Sequence, residues 1–236
     1  MICIICNENI MEKNKVIILG TTMFSTQLCE ILKAENVEII GFTVDKAYMK
    51  SETFNGLPVY PFEELETYVY NYAYNKEVSI LNTIGYMRMN DVRRQKQMEC
   101  KSRGLSIFTF ISKHAQVYTK EIGEGCIIMP GSYVGPVTKI GECCVVWPGA
   151  VLSHHNTIGD NCWIAPSCCL GGGAKVNRNC FLGLGSTIRN EIELAEYTFV
   201  GAHSYVGNDT VRGGAYVGVP AKLFSGKDAF EIVAKV

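Results

Sequence analysis

Long apolar runs are missing from this chain of 236 residues. No stretch approaches the roughly 20 apolar residues that cross a bilayer, so no membrane span is expected. Lys/Arg-rich runs are missing too. The formal net charge is -1, and only 19% of residues are charged. Nucleic acid is therefore not an expected partner. The first ten residues are too short and too uncharged for a secretory leader. Histidine is scarce, with His114, His154, His155 and His203 as the whole supply. Cysteine is not scarce: there are 11, enough to suggest a disulfide framework. Five of them occupy equivalent places in a repeat described below, where a thiol acts as a small hydrophobe. With no export signal, reduced thiols and a cytoplasmic location are expected. Cys3-Ile-Ile-Cys6 is a lone CxxC without a second pair or a His cluster, and reads as incidental. Met11 is an alternative start to Met1, since Lys15 opens the first recognisable strand.

What is present is a period of six. An aliphatic residue recurs at every sixth position from Ile122 through Ile128, Val134, Ile140, Val146, Leu152, Ile158, Ile164, Leu170, Val176, Leu182, Ile188, Leu194 and Val200 to Val206. Two positions before each stands a small or slender residue, such as Cys126, Cys144, Cys162, Cys168 and Cys180, with Ile192 as the bulky exception. Gly often follows the aliphatic. Six matches neither the helical 3.6 nor the strand period of 2. It predicts a parallel solenoid with flat faces, one hexad per face, the aliphatic pointing inward and the Gly easing a corner.

The first half alternates strand and helix signals. Lys15 to Gly20, Val37 to Asp45, Val78 to Gly85 and Leu105 to Ile111 read as strands, and Gly56 to Tyr60 as a connector or short strand. Phe24 to Ala34, a segment opening at Pro61, and a segment capped by Asn90 and running to about Arg103 read as helices. This predicts an α/β, Rossmann-like domain over 1–113, followed by an all-β solenoid with a tail over 114–236. Tyr68, Tyr70, Tyr72 and Tyr74 alternate with period 2 next to a helical pattern, and packing or an interface is their expected role.

Candidate sites follow from this arrangement. The turn after the first strand, Gly20 to Ser25, lies where a doubly wound sheet binds ligands and where a helix N-terminus receives phosphate. It lacks GxGxxG, so a dinucleotide is not expected. Asp45 can accept from a ribose hydroxyl, and reads equally as a solvated turn residue. His154 and His155 interrupt the solenoid side by side; imidazole is the usual base near neutral pH. Alternation along a strand predicts opposite directions for the two rings. Gly171-Gly172-Gly173 lets a ligand approach the backbone closely.

The repeat resembles that of the hexapeptide-repeat acyltransferases, which implies a left-handed parallel β-helix of three hexads per coil and therefore five coils. The whole chain resembles the sugar acetyltransferases of the bacillosamine and sialic-acid type. The resemblance rests on Val16-Ile-Ile-Leu-Gly20, Ile40-Gly-Phe-Thr-Val-Asp45, Thr83-Ile-Gly85, Ser153-His154, Ile158-Gly-Asp160 and Val217-Gly-Val-Pro-Ala-Lys222. It implies transfer from acetyl-CoA to the amine of a nucleotide-linked amino sugar within a homotrimer, with CoA between neighbouring β-helices and no metal. His154 falls on the family's general base, and His155 where the bacillosamine enzymes have an acidic residue. Thr22, Met23, Phe24, Asp45 and Gly85 fall on nucleotide-sugar contacts, although the family's Gly-His type turn is replaced. Trp163, Leu184 and Ala202 fall on acetyl-CoA contacts, with Trp163 replacing a polar ring, and Gly172 lets the pantetheine arm approach the backbone closely. Three rivals stay open: sugar O-acetylation of the sialic-acid type, a zinc site of the β-helical carbonic anhydrase type, and a non-catalytic scaffold.

Overall fold

The computed structural model describes residues 15–72, 78–224 and 226–234. Cys3, Cys6, Met11 and Tyr74 lie outside the described residues. The chain divides after Ile80 into two compact units.

The first unit begins with β1 (Lys15–Leu19), α1 (Met23–Ala34), β2 (Glu38–Val44), β3 (Thr53–Phe54), β4 (Leu57–Pro61) and α2 (Leu65–Tyr72). It ends in β5 (Val78–Asn82), which carries the chain into the second unit. The sheet order is β3-β4-β2-β1-β5. β1 and β2 are parallel, as are β2 and β4, while β3 returns antiparallel to β4. Val16, Ile17 and Ile18 form a continuous buried run in β1, and Leu28 and Leu32 of α1 are fully buried as well. Such a run is the mark of a parallel strand covered on both faces. Tyr68 and Tyr70 lie in α2 and not in a strand, and Tyr68 packs on Tyr60 with ring centroids 4.6 Å apart.

The second unit contains α3 (Asp91–Ser102) and the solenoid. Two-residue parallel strands recur at a spacing of 18 residues, one coil, and build three faces. The first face carries Ile127–Ile128, Val145–Val146, Trp163–Ile164, Phe181–Leu182 and Phe199–Val200. The second carries Tyr133–Val134, Val151–Leu152, Cys169–Leu170, Thr187–Ile188 and Tyr205–Val206. The third carries Lys139–Ile140, Thr157–Ile158, Lys175–Val176 and Glu193–Leu194. The second residue of each strand is the repeat's aliphatic, and all are buried from Ile128 to Val206; Ile122, at the open start, is half-buried. Phe110–Ile111, which reads with the first half of the sequence, pairs with Ile127–Ile128 and starts the first face. At the far end Ala215–Val217 extends that face and Lys222–Leu223 folds back antiparallel on it. The short helix Ala229–Val233 follows, and Phe230 stacks on Tyr197 with centroids 5.3 Å apart.

Two details of the repeat differ from the sequence expectation. The Gly after each aliphatic does not supply a left-handed backbone. That conformation sits two residues later, at Val137, Cys143, His155, Asn161, Ser167, Asn179 and equivalents, all with positive φ. The Gly is needed because the next coil passes too close. A Cβ on Gly123 would lie 2.5 Å from the Gly141 carbonyl carbon, and one on Gly171 would lie 2.5 Å from the Asn190 nitrogen. The small-residue slot is also more than a place for small hydrophobes. Its side chains donate to corner carbonyls of the next coil: Cys126 Sγ to Gly141 O (3.0 Å), Cys144 Sγ to Gly159 O (3.1 Å), Thr138 Oγ1 to Ser153 O (2.7 Å) and Asn156 Nδ2 to Gly171 O (2.7 Å). Buried corner carbonyls require partners, and the slot supplies them.

Candidate active site

His154 and His155 occupy the corner between the second and third faces, and both are exposed in the single chain. They lie in a turn, so the alternation of a strand does not apply to them. His155 has φ 59 and holds the left-handed corner position, a conformation for which His is enriched several-fold among non-Gly residues. The turn brings the rings together rather than apart. Nδ1 of His154 and Nδ1 of His155 are 3.0 Å apart, and the rings meet edge to face with centroids 5.1 Å apart. One of these nitrogens must carry the proton and the other accept it. With the proton on His154 Nδ1, the Nε2 of His154 is a free lone pair aimed away from its neighbour.

Gly172 stands one coil above His154 and forms the seat of its ring. A Cβ at Gly172 would fall 2.3 Å from Cε1 and 2.7 Å from Nε2 of His154. Gly173 N–H donates to His154 O at 2.9 Å and so locks the two corners together. The Gly172 N–H donates to no group among the described residues, and it lies beside the imidazole.

Trp163, Leu184 and Ala202 gather at the first face and the corner that follows it. They line one apolar cavity of about 220 Å³ with Tyr86, Trp147 and Phe181. Trp163 points outward from its strand yet is buried. Within one chain these residues and His154 stand on different corners of the solenoid, so a single chain does not bring them together.

In the first unit, Thr22, Met23 and Phe24 start α1. Thr22 caps the helix: its Oγ1 accepts from Ser25 N–H at 3.4 Å, and Ser25 Oγ accepts from Thr22 N–H at 3.1 Å. Met23 is 90% exposed. β1 and β2 run parallel with Leu19 opposite Thr43, and Gly20 N–H donates to Thr43 O at 2.9 Å. Thr22 and Asp45 therefore share the C-terminal edge of the sheet, where α/β folds bind ligands. Gly85 belongs to the second unit, three residues after β5, and open space surrounds the position a Cβ would take.

Sequence reasoning missed Arg93. It is fully buried and donates only to carbonyls: Asn82 O and Ile84 O at the end of β5, and Gly125 O and Cys143 O at solenoid corners. Four acceptors keep the buried cation hydrogen-bonded. It thereby fixes the turn that leads to Gly85. An Arg inside a helical pattern gives no signal of this. Asn90 precedes α3 as expected, but not as a side-chain cap. Its backbone is left-handed (φ 68) and its buried side chain makes no capping bond. Among the described residues, no three His, Cys, Asp or Glu side chains converge as a metal site would need.

The repeat and its triangular coils define a three-faced parallel β-helix preceded by an α/β region. The family model of the bacterial transferase hexapeptide matches residues 119–154 and 157–190, and a C2185-like N-terminal model matches residues 12–85. No curated protein sequence matches the chain. Among solved structures, PerB from Caulobacter crescentus, in complex with CoA and GDP-perosamine, is 24% identical with a TM-score of 0.78. The match covers 90% of this chain and 98% of PerB. A mutant of the GDP-perosamine N-acetyl transferase from the same organism gives 24% identity and a TM-score of 0.79, over 90% and 97% of the two chains. The acetyltransferase domain of PglB from Neisseria gonorrhoeae, in complex with acetyl coenzyme A, is 20% identical with a TM-score of 0.77, over 90% of this chain and all (100%) of that domain. The chain therefore has the fold of the hexapeptide-repeat sugar acetyltransferases.

Proposed function

We propose that this protein transfers the acetyl group of acetyl-CoA to the amine of a nucleotide-linked amino sugar. The observation that carries the reading is the His154 corner: an exposed imidazole seated on Gly172, with Nδ1 engaged by His155 and Nε2 free. The acceptor amine must lose a proton as it attacks the thioester carbonyl. His154 Nε2 takes that proton, a contribution of about 10² to 10⁴-fold in rate. The unengaged Gly172 N–H, on the residue that seats the imidazole, serves as the donor for the oxyanion. The C–S bond breaks, CoA leaves as thiolate, and the proton passes to it. His155 fills the role that a carboxylate has in the bacillosamine enzymes, by fixing the tautomer of His154.

The site is completed by a second copy. The outward residues of the third face are charged or polar, Lys139, Thr157, Lys175 and Glu193, and the lysines pair along it with Glu121 and Glu193. Those of the second face are uncharged: Tyr133, Val151, Cys169, Thr187 and Tyr205. An uncharged face flanked by the His154 corner and the Leu184 corner suits a homotrimer in which one copy supplies the base and its neighbour the CoA contacts. The first unit takes the nucleotide sugar at Thr22, Met23, Phe24 and Asp45. No helix among the described residues is long and apolar enough to cross a membrane; a cytoplasmic location, where acetyl-CoA is made, fits the reading.

The test is a panel of UDP-, dTDP- and GDP-linked amino sugars incubated with acetyl-CoA and followed by mass spectrometry. A mass gain of one acetyl group that survives mild base shows an amide. Loss under mild base shows an ester and turns the reading to O-acetylation. No acetylated product with any amino sugar overturns it.

A further inference from the structure

The apolar cavity on the first face has a shape that an acetyl group does not require. Its walls hold no charged side chain. Trp163 packs against Trp147 with centroids 5.4 Å apart, and Tyr86 leans edge-on over Trp163 (5.2 Å) and Phe181 (4.9 Å). Tyr86 comes from outside the repeat, from the turn between β5 and α3, and forms one wall of the cavity. The walls exclude phosphate and hydroxylated sugar, whose desolvation nothing there would offset. They suit apolar carbon.

Position along the solenoid axis indicates which part of a donor reaches it. Coils stack about 4.8 Å apart. Trp163 lies half a coil above His154, and Gly172 another half coil above Trp163. Leu184 and Ala202 follow on successive coils beyond. Copies arranged about an axis parallel to the solenoid keep these levels, so the cavity floor at Trp163 stands level with the reacting carbonyl, and its Leu184 and Ala202 rim runs along the pantetheine arm. About 220 Å³ corresponds to roughly seven water volumes of ~30 Å³ each. The cavity is open to solvent on one side, and the methyl of an acetyl group would cover little of its apolar wall, which a longer apolar chain would cover further.

We propose that this cavity is an acyl pocket that extends the donor range beyond acetyl-CoA to CoA thioesters of apolar acyl chains of about four to six carbons. Tyr86, Trp163 and Ala165 set its length. The proposal rests on the acyl-transfer reading above. The chemistry is unchanged: the thioester C–S bond breaks, the amide C–N bond forms, and the amine proton leaves by way of His154 to the CoA thiolate.

The test is calorimetric titration of the full chain with CoA, acetyl-CoA, butanoyl-CoA and hexanoyl-CoA. Affinity is expected to rise about threefold per added methylene beyond acetyl. Ala165→Phe, which fills the cavity, is expected to abolish that rise. Tyr86→Ala, which opens the cavity without overpacking it, is expected to flatten the rise to under twofold per methylene. Thermal melting confirms that each variant is folded. Equal affinity of the unsubstituted protein for acetyl- and hexanoyl-CoA overturns the acyl pocket and leaves acetyl transfer standing. A chain-length rise that persists unchanged in both variants places the chain elsewhere and also overturns it. Failure of every CoA species to bind overturns the acyl-transfer reading and this proposal with it.

Discussion

At the scale of single residues, the two histidines are unequal for a reason other than strand alternation. His155 is bound to the corner by its backbone, since it occupies the left-handed position, whereas His154 is held by ring contacts with Gly172 and by one Nδ1 hydrogen bond. His154→Ala is therefore expected to lower kcat by about 10² or more with CoA affinity unchanged. His155→Gly should cost less activity, and should stabilise the fold by relieving about 1 kcal/mol of left-handed strain. Steady-state kinetics with a competent acceptor, together with melting curves, check both. Loss of turnover in His155→Gly with near-normal rates in His154→Ala would exchange their roles. Gly172→Ala tests the seat of the base. The new Cβ must push the imidazole aside, so kcat is expected to fall about 10 to 100-fold while the melting temperature holds. An unchanged kcat would show that His154 does not work from this rotamer. His154 and His155 were legible as a candidate site because two adjacent histidines in a regular repeat are conspicuous; their pairing was not, because strand alternation predicts rings that point apart and the left-handed turn at His155 brings them together. Nor was the seat at Gly172 legible, since only the 18-residue coil spacing brings it beside His154.

At the scale of elements, the repeat dictates nearly everything in the solenoid. An aliphatic every sixth residue leaves one arrangement in which all of them meet inside. Ile164 is buried between Val146 and Leu182 on neighbouring coils of the first face. Ile164→Asp would bury an unpaired carboxylate and is expected to cost several kcal/mol. A soluble protein with an unchanged melting temperature would refute the register. Less legible was the chemistry of the corners, because hydrogen bonds between coils join residues about 15 apart, a separation without a sequence signal. The cysteine column Cys126, Cys144, Cys162 and Cys180 is such a case. These thiols are free, and each donates to a carbonyl of the next coil. Burial pushes Cys144 and Cys162 well above a thiol's ordinary value of 9.0; for Cys126 the hydrogen bond with Cys144 raises it most, and burial adds to that. Unfolded thiols ionise above about pH 9 while the folded ones keep their protons. Stability held below that pH is then lost as pH rises, by about 1.4 kcal/mol per pH unit for each such thiol. Urea unfolding at pH 8, 9 and 10 should show the fall, and Cys144→Ala should make it shallower. Equal slopes for both proteins would mean that this thiol ionises alike in the folded and unfolded states.

At the scale of the whole molecule, the residues proposed for transfer stand on two corners of one solenoid. His154 and Gly172 lie between the second and third faces, and Trp163, Leu184 and Ala202 lie on the first face and the corner after it. Sequence positions alone hid this separation, because 154 and 163 are close in number yet half a coil apart around the axis. If a trimer joins the two corners across each interface, every site takes its base from one copy and its CoA contacts from the next. Two inactive variants then complement each other. His154→Ala retains the CoA corner, and Leu184→Asp, at a side chain 53% exposed and so tolerant of charge in the single chain, retains the base. In trimers reassembled from equal amounts of both, half of the bases and half of the CoA corners are intact. Chance places an intact pair at about a quarter of the interfaces of a threefold-symmetric assembly. Co-refolded mixtures are therefore expected to recover about a quarter of the unsubstituted activity, with each variant alone near zero. A mixed trimer confirmed by mass that shows no recovery would place base and cofactor corner in the same subunit, and so overturn the shared site.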